Sequence, residues 1–215
     1  MKLNKTFLFT VLSTLFVGSL LIANVTAFKL FEVWKFTLPA AVVIFPIVYI
    51  VNDVLAEVYG FRNARRVILL GFAVNLLAVI VYNISMLLKA PVWFEGAEAF
   101  DTVLSSTLRM LTASFSAYLI GTTLNSYVMT KMRGNKPIGE GGLFTRAIAS
   151  TAIGETVDAM VFITIAFIGT MPIKDLFIMI AAQAVAKTIY EIAAFPGTKV
   201  VVNYVKKLPE GSIIN

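Results

Sequence analysis

Asp53 and Glu57, two carboxylates four residues apart, stand beside Asn52 and Tyr49 in a run that is otherwise lipid-soluble. At ~100° per residue, Pro46, Tyr49, Asn52, Asp53, Ala56, Glu57 and Gly60 share an arc of roughly 140°. Ile44, Ile47, Val51, Val54, Leu55 and Val58 lie largely opposite. A charged side chain at mid-bilayer costs on the order of 2.5–3.5 kcal/mol on insertion scales, so ionisable groups within spans mark sites. Lipid cannot satisfy such an arc, which is therefore expected to turn inward.

Further clusters repeat the pattern. Ser150, Thr151, Gly154, Glu155 and Asp158 form one arc, with Phe162 a turn below. Gln183, Lys187, Tyr190, Glu191 and Ala194 form a narrow stripe. Asn75 and Tyr82, and more marginally Asn83, add hydrogen-bonding groups, as do Ser114, Tyr118, Gly121, Thr122 and Asn125. All these stripes are expected to meet in one central cavity. Five carboxylates and one lysine exceed what helix packing needs, and an excess of negative charge favours a cation, a proton or a donor-rich ligand. Blander roles compete for individual residues. Lys187 can neutralise Asp158 or Glu155 in a pair that fixes helix register, and Ala113, Ala117 and Gly121 read as close helix packing. Trp34 and Tyr59 read as interfacial anchors, and Arg62, Arg65 and Arg66 as topology determinants. Asn24-Val25-Thr26 matches a glycosylation pattern but falls at a membrane boundary.

The elements that must position these residues follow from composition. The chain of 215 residues is 59% hydrophobic and 14% charged, with mean hydropathy +0.87. A soluble domain carries roughly 25% charged residues, so lipid is the expected solvent. A helix needs about 20 apolar residues to cross ~30 Å of hydrocarbon, and six such runs occur. They cover about 6–28, 37–60, the stretch after the basic turn 61–66 to 88, 107–129, 144–168, and the stretch after Asp175 to 195. The first imitates a signal peptide but is too long an apolar run for one, and reads as a retained helix. An acidic loop is expected at 93–101 and a basic, glycine-rich one around Lys131, Arg133 and Lys136, with a tight turn at Pro172 and a break at Pro196-Gly197. The expected fold is an all-α membrane protein, one domain over 1–215, with six transmembrane helices. Twelve Lys and Arg (2, 5, 62, 65, 66, 131, 133, 136, 146, 199, 206 and 207) then fall on one side and five (29, 35, 89, 109 and 174) on the other. That asymmetry puts both termini in the cytoplasm. Two halves of three spans would have opposite topologies, the arrangement of a 3+3 inverted repeat, although the halves show no residue-level match.

Composition also excludes chemistries. Without cysteine there are no disulfides and no thiolate metal sites, and without histidine the usual zinc ligand and proton shuttle are missing. The net charge of +6 is the cytoplasmic bias of Lys and Arg, not a nucleic-acid surface. The chain has no Gly-x-Ser-x-Gly, Gly-x-Gly-Asp or His-Glu-x-x-His, and Gly197-Thr198-Lys199 lacks the context of a phosphate loop. No enzyme activity, metal or cofactor is expected. Transport is what remains.

Two stretches resemble one known family. Asn52 to Gly60, followed by Ala64-Arg65-Arg66, is similar to the second-span signature of the queuosine precursor transporters, also called the vitamin uptake transporter family. Arg146 to Asp158, with Phe162 and Gly169, resembles that family's second signature. The resemblance implies a multi-pass protein of a bacterial or archaeal plasma (inner) membrane. It would import 7-cyano-7-deazaguanine or 7-aminomethyl-7-deazaguanine for queuosine synthesis in tRNA. A guanine edge offers two adjacent donors that one carboxylate accepts bidentately. Asp53, Glu57, Glu155 or Asp158 would take that edge, with Asn52 or Gln183 on O6. The alternative is a transporter of another small heterocycle or vitamin, with or without an ATP-driven module. The expected partners are the small-molecule substrate and the lipid bilayer; a homodimer is compatible with the sequence, which carries no signal for or against it.

Overall fold

The computed structural model describes residues 4–133 and 143–209. Its element order is α1 (Lys5–Thr26), β1 (Leu30–Val33), β2 (Phe36–Pro39), a 3-10 turn (Ala40–Val43), α2 (Phe45–Tyr59), α3 (Phe61–Leu87), α4 (Ala97–Leu104), α5 (Thr107–Arg133), α6 (Leu143–Phe167) and α7 (Ile173–Lys206). Four stretches among the described residues are long and apolar enough to cross a membrane: Lys5–Thr26, Phe61–Leu87, Ala97–Leu124 and Ile173–Ala194. The expected basic loop at Gly134, Lys136, Gly139, Gly141 and Gly142 lies outside the described residues.

Contacts divide the chain into two compact units. The first contains Met1–Lys29, Ala40–Leu108 and Tyr190–Asn215. Here α1 packs on both α2 and α3, burying Leu12, Phe16 and Ala23 with Val51, Val54, Leu55, Ala64, Val67, Ile68 and Phe72. Gly71 marks the tightest approach, since a Cβ there would lie 3.1 Å from Leu20 Cδ2. Asn4 caps α1 by accepting from the Phe7 amide at 2.8 Å.

The second unit contains Leu30–Pro39 and Arg109–Ile189. Its core is Met110, Leu111, Ala113 and Ala117 of α5, Ala159, Phe162, Ile163 and Ala166 of α6, and Leu176, Met179, Ile180 and Ala184 of α7. The small residues expected to seat α5 closely do so. A Cβ on Gly121 would sit 3.0 Å from Asp158 Cβ and 3.2 Å from the Gly154 carbonyl. Arg109 closes the C-terminal end of α6, donating from Nε to the Ile165 carbonyl at 2.7 Å and from a terminal nitrogen to that of Ile168. A cation is favourable there, where the last carbonyls of a helix lack partners.

Several expectations are corrected. The fold is not wholly α-helical: β1 and β2 form an antiparallel hairpin with Val33 opposite Phe36 and Leu30 opposite Pro39. Its two-residue turn places Trp34 at φ 61°, with the residue 94% exposed. The expected second span from 37 to 60 is therefore interrupted. Pro39 and Pro46 lack amide donors, so helix begins only at Phe45, with Pro46 in the first turn where no donor is needed. At 15 residues α2 reaches about 22 Å, short of the ~30 Å hydrocarbon layer. The basic stretch 61–66 is not a turn but the start of α3, entered through Gly60 at φ 85°. Part of the acidic loop folds as α4. Pro196 does not end the last helix, and α7 runs on for 34 residues to Lys206.

Candidate functional site

In the second unit, α6 and α7 bring three charges together. Glu155 and Asp158, three residues apart on α6, share a face. Lys187 of α7 reaches both: its ammonium lies 3.2 Å from Glu155 Oε2 and pairs directly with Asp158 Oδ2. The side chains are 22%, 21% and 8% exposed for Glu155, Asp158 and Lys187. The lysine is sealed, while the two carboxylates keep an open edge. Desolvating an ammonium is tolerable only with opposite charge at hand, which the pair of acids supplies. Gly121 lets α5 come close to the Gly154 carbonyl and Asp158, supporting this turn of α6.

Gln183 stands one turn before Lys187 on the same face of α7. It is 1% exposed, and its Oε1 has no hydrogen-bond partner among the described residues. Two carboxylates and one ammonium suit a ligand that presents adjacent N–H donors beside a carbonyl.

The first unit treats its predicted polar residues differently. Asn75 is buried and fully engaged, its Nδ2 donating to the Gly71 carbonyl at 2.9 Å while its Oδ1 accepts from Asn24 Nδ2 at 2.8 Å. The inward turn expected of the α2 polar arc is partly reversed. Val51, Val54 and Leu55 are the buried side, because α1 and α3 offer it apolar partners, whereas Asn52 and Asp53 are half-buried. Glu57 is exposed and ion-pairs with Lys206 at 2.5 Å. Tyr49 packs edge-on to Phe45, centroids 6.1 Å apart. Tyr59 donates from its hydroxyl to the Lys5 carbonyl at 2.8 Å and packs on Phe9. Tyr190 and Glu191 are half-buried. The side chains of Asn125, Ser150 and Thr151 lie outside the described residues.

Three contributors escaped sequence reasoning. Asn24 was legible as an amide in an apolar span, the type that bonds across helices, although it also begins a glycosylation pattern. Arg109 and Lys206 carried no local signal, because their partners are 56 and 149 residues away.

An almost entirely helical chain, with several bilayer-length apolar helices and a charged triad held between two helices, is a multi-pass membrane protein. Residues 39–201 match the profile of a family described as "Putative vitamin uptake transporter". The chain belongs to that family. It is similar to the "Probable queuosine precursor transporter" of Bacillus subtilis (strain 168), 28% identical over 150 residues, which is 70% of this chain and 65% of that protein. The "Queuosine precursor transporter" of Escherichia coli (strain K12) is 32% identical over 124 residues, 57% of this chain and 52% of that protein. The "Probable queuosine precursor transporter" of Haemophilus influenzae (strain Rd) is 28% identical over 123 residues, 57% of this chain and 49% of that protein. The matches thus span from about half to just under two thirds of those relatives' length. No solved structure matches the chain significantly.

Proposed function

We propose that this protein imports queuosine precursors, 7-cyano- or 7-aminomethyl-7-deazaguanine, across the plasma membrane of a bacterial or archaeal cell. The observation that carries the reading is the Glu155–Lys187–Asp158 triad in a member of this transporter family. A carboxylate of the triad accepts the ring N1–H, and the Lys187 ammonium donates to the neighbouring O6. Both interactions need a site screened from water, where charge-assisted hydrogen bonds are strongest. The distribution of Lys and Arg supports both ends of the chain on the cytoplasmic side, with six crossings in between.

The test is uptake in cells that cannot make deazaguanine, read as queuosine appearing in their tRNA. Wild-type protein should restore the modification. Asp158→Asn and Glu155→Gln, each of which exchanges an acceptor oxygen for a donor, should lower uptake by about tenfold or more, the scale of one lost charge-assisted hydrogen bond. Restored modification with both variants fully active would sink the site, and no restoration by the wild type would sink the function.

A further inference from the structure

The sequence suggests Gln183 as a donor to the ring carbonyl, whereas the structure singles out its oxygen, an acceptor. Gln183 is 1% exposed, and Oε1 is a buried acceptor without a partner among the described residues. A buried polar group left unpaired costs about 1–3 kcal/mol, so a native core keeps few of them without a reason. The residue's position supplies one. It shares a face with Lys187 one turn on, and Lys187 is held by Glu155 and Asp158.

The tight turn between α6 and α7 at residues 168–172 makes the two helices run in opposite directions. Register then sets Gln183 level with the turn of α6 beyond Asp158, where Phe162 is 7% exposed. One acceptor, one aromatic ring and the acid–lysine triad thus fall on two adjoining helical turns.

We infer that Gln183 is a specificity-determining residue whose Oε1 accepts an N–H from the exocyclic amine of a bound fused-ring purine analogue. The inference rests on the proposed function and deepens it. The triad takes the ring N1–H and carbonyl, which every 6-oxo purine analogue presents. Gln183 separates those that also carry the 2-amino group from those that do not. Rejection of the lesser ligand arises because its binding buries the Gln183 oxygen still unpaired, the strongest form of discrimination available to a binding site.

Two probes differing in that group alone test the idea: 7-deazaguanine and 7-deazahypoxanthine. Binding of each is measured by calorimetry on the purified full-length protein. Wild type should prefer 7-deazaguanine by about tenfold or more. In Gln183→Met, which keeps the length and removes the acceptor, the preference should fall to within about twofold by the same reasoning. Gln183→Asn, which withdraws the amide by one methylene, should lose it as well, so the idea stays exposed to failure if the Met variant does not fold. Gln183→Glu, which retains an acceptor oxygen, should keep it. A wild-type preference surviving in both Gln183→Met and Gln183→Asn overturns the inference alone, with water as the partner of Oε1. Wild-type protein that binds neither probe overturns the proposed function along with it.

Discussion

Asn24 and Asn75 close a hydrogen-bonded amide pair between α1 and α3, whereas Glu155, Lys187 and Asp158 hold three charges between α6 and α7. Both clusters place polar groups inside long apolar helices, where water cannot rescue them. The amide pair is neutral and buried, at 5% and 2% exposure, and the linking oxygen and nitrogen satisfy each other. The triad is charged, and its acids stay about one fifth exposed. A polar cluster that closes on itself joins helices. One that seals its cation while its acids keep an exposed edge stands where a ligand can meet it. The difference lies in exposure, not in how polar the residues are.

Mutations should separate the two. Lys187→Met leaves two carboxylates with no cation of the triad between them, and removing one partner of a buried pair costs about 3–5 kcal/mol. The unfolding midpoint of the purified protein should drop sharply and uptake should cease. Adding Asp158→Asn and Glu155→Gln to that variant should restore stability in part but not uptake. Asn75→Leu should cost about 1–3 kcal/mol by orphaning the Asn24 amide, while uptake per folded molecule stays near wild type. The double change Asn24→Leu with Asn75→Leu should recover much of the loss. An Asn75→Leu protein that folds normally yet fails to transport would move this pair from the helix-joining class into the site. The smallest effect belongs to Lys206→Met, which breaks an ion pair with Glu57 whose side chains are half or more exposed. A loss under about 1 kcal/mol is expected, as for exposed pairs generally.

The parts of the fold that hydropathy could read were the long helices. The cores of α1, α3, α5 and α6 fall where apolar runs of bilayer length predict them, and the turn at Pro172 falls where proline predicts it. Hydropathy failed where the chain is apolar without being helical. Phe36-Thr37-Leu38 reads as continuous lipid-soluble sequence, yet β-branched and aromatic residues serve a strand equally well, and Pro39 and Pro46, which follow, stop a helix from running through. Pro196 misled in the other direction, since tertiary context carries α7 through a residue that propensity treats as a stop. At the site, the pairing of Lys187 with Asp158 or Glu155 was foreseeable from charge alone, and both contacts are present. That the Gln183 oxygen would be buried without a partner among the described residues was not foreseeable, since only the three-dimensional neighbourhood decides it.

The unbroken course of α7 has a consequence of scale. Its 34 residues extend about 51 Å, against a hydrocarbon layer of ~30 Å. Containing that length by leaning alone would require a tilt of about 54°, beyond the ~40° at which membrane helices stop. A large fraction of the rod must therefore stand clear of the oil. The apolar window ends at Ala194, and Lys199 and Lys206 follow it. Beyond that window Val202 and Val205 are buried and Lys206 pairs with Glu57 of α2, so the extension packs into the first unit instead of standing free.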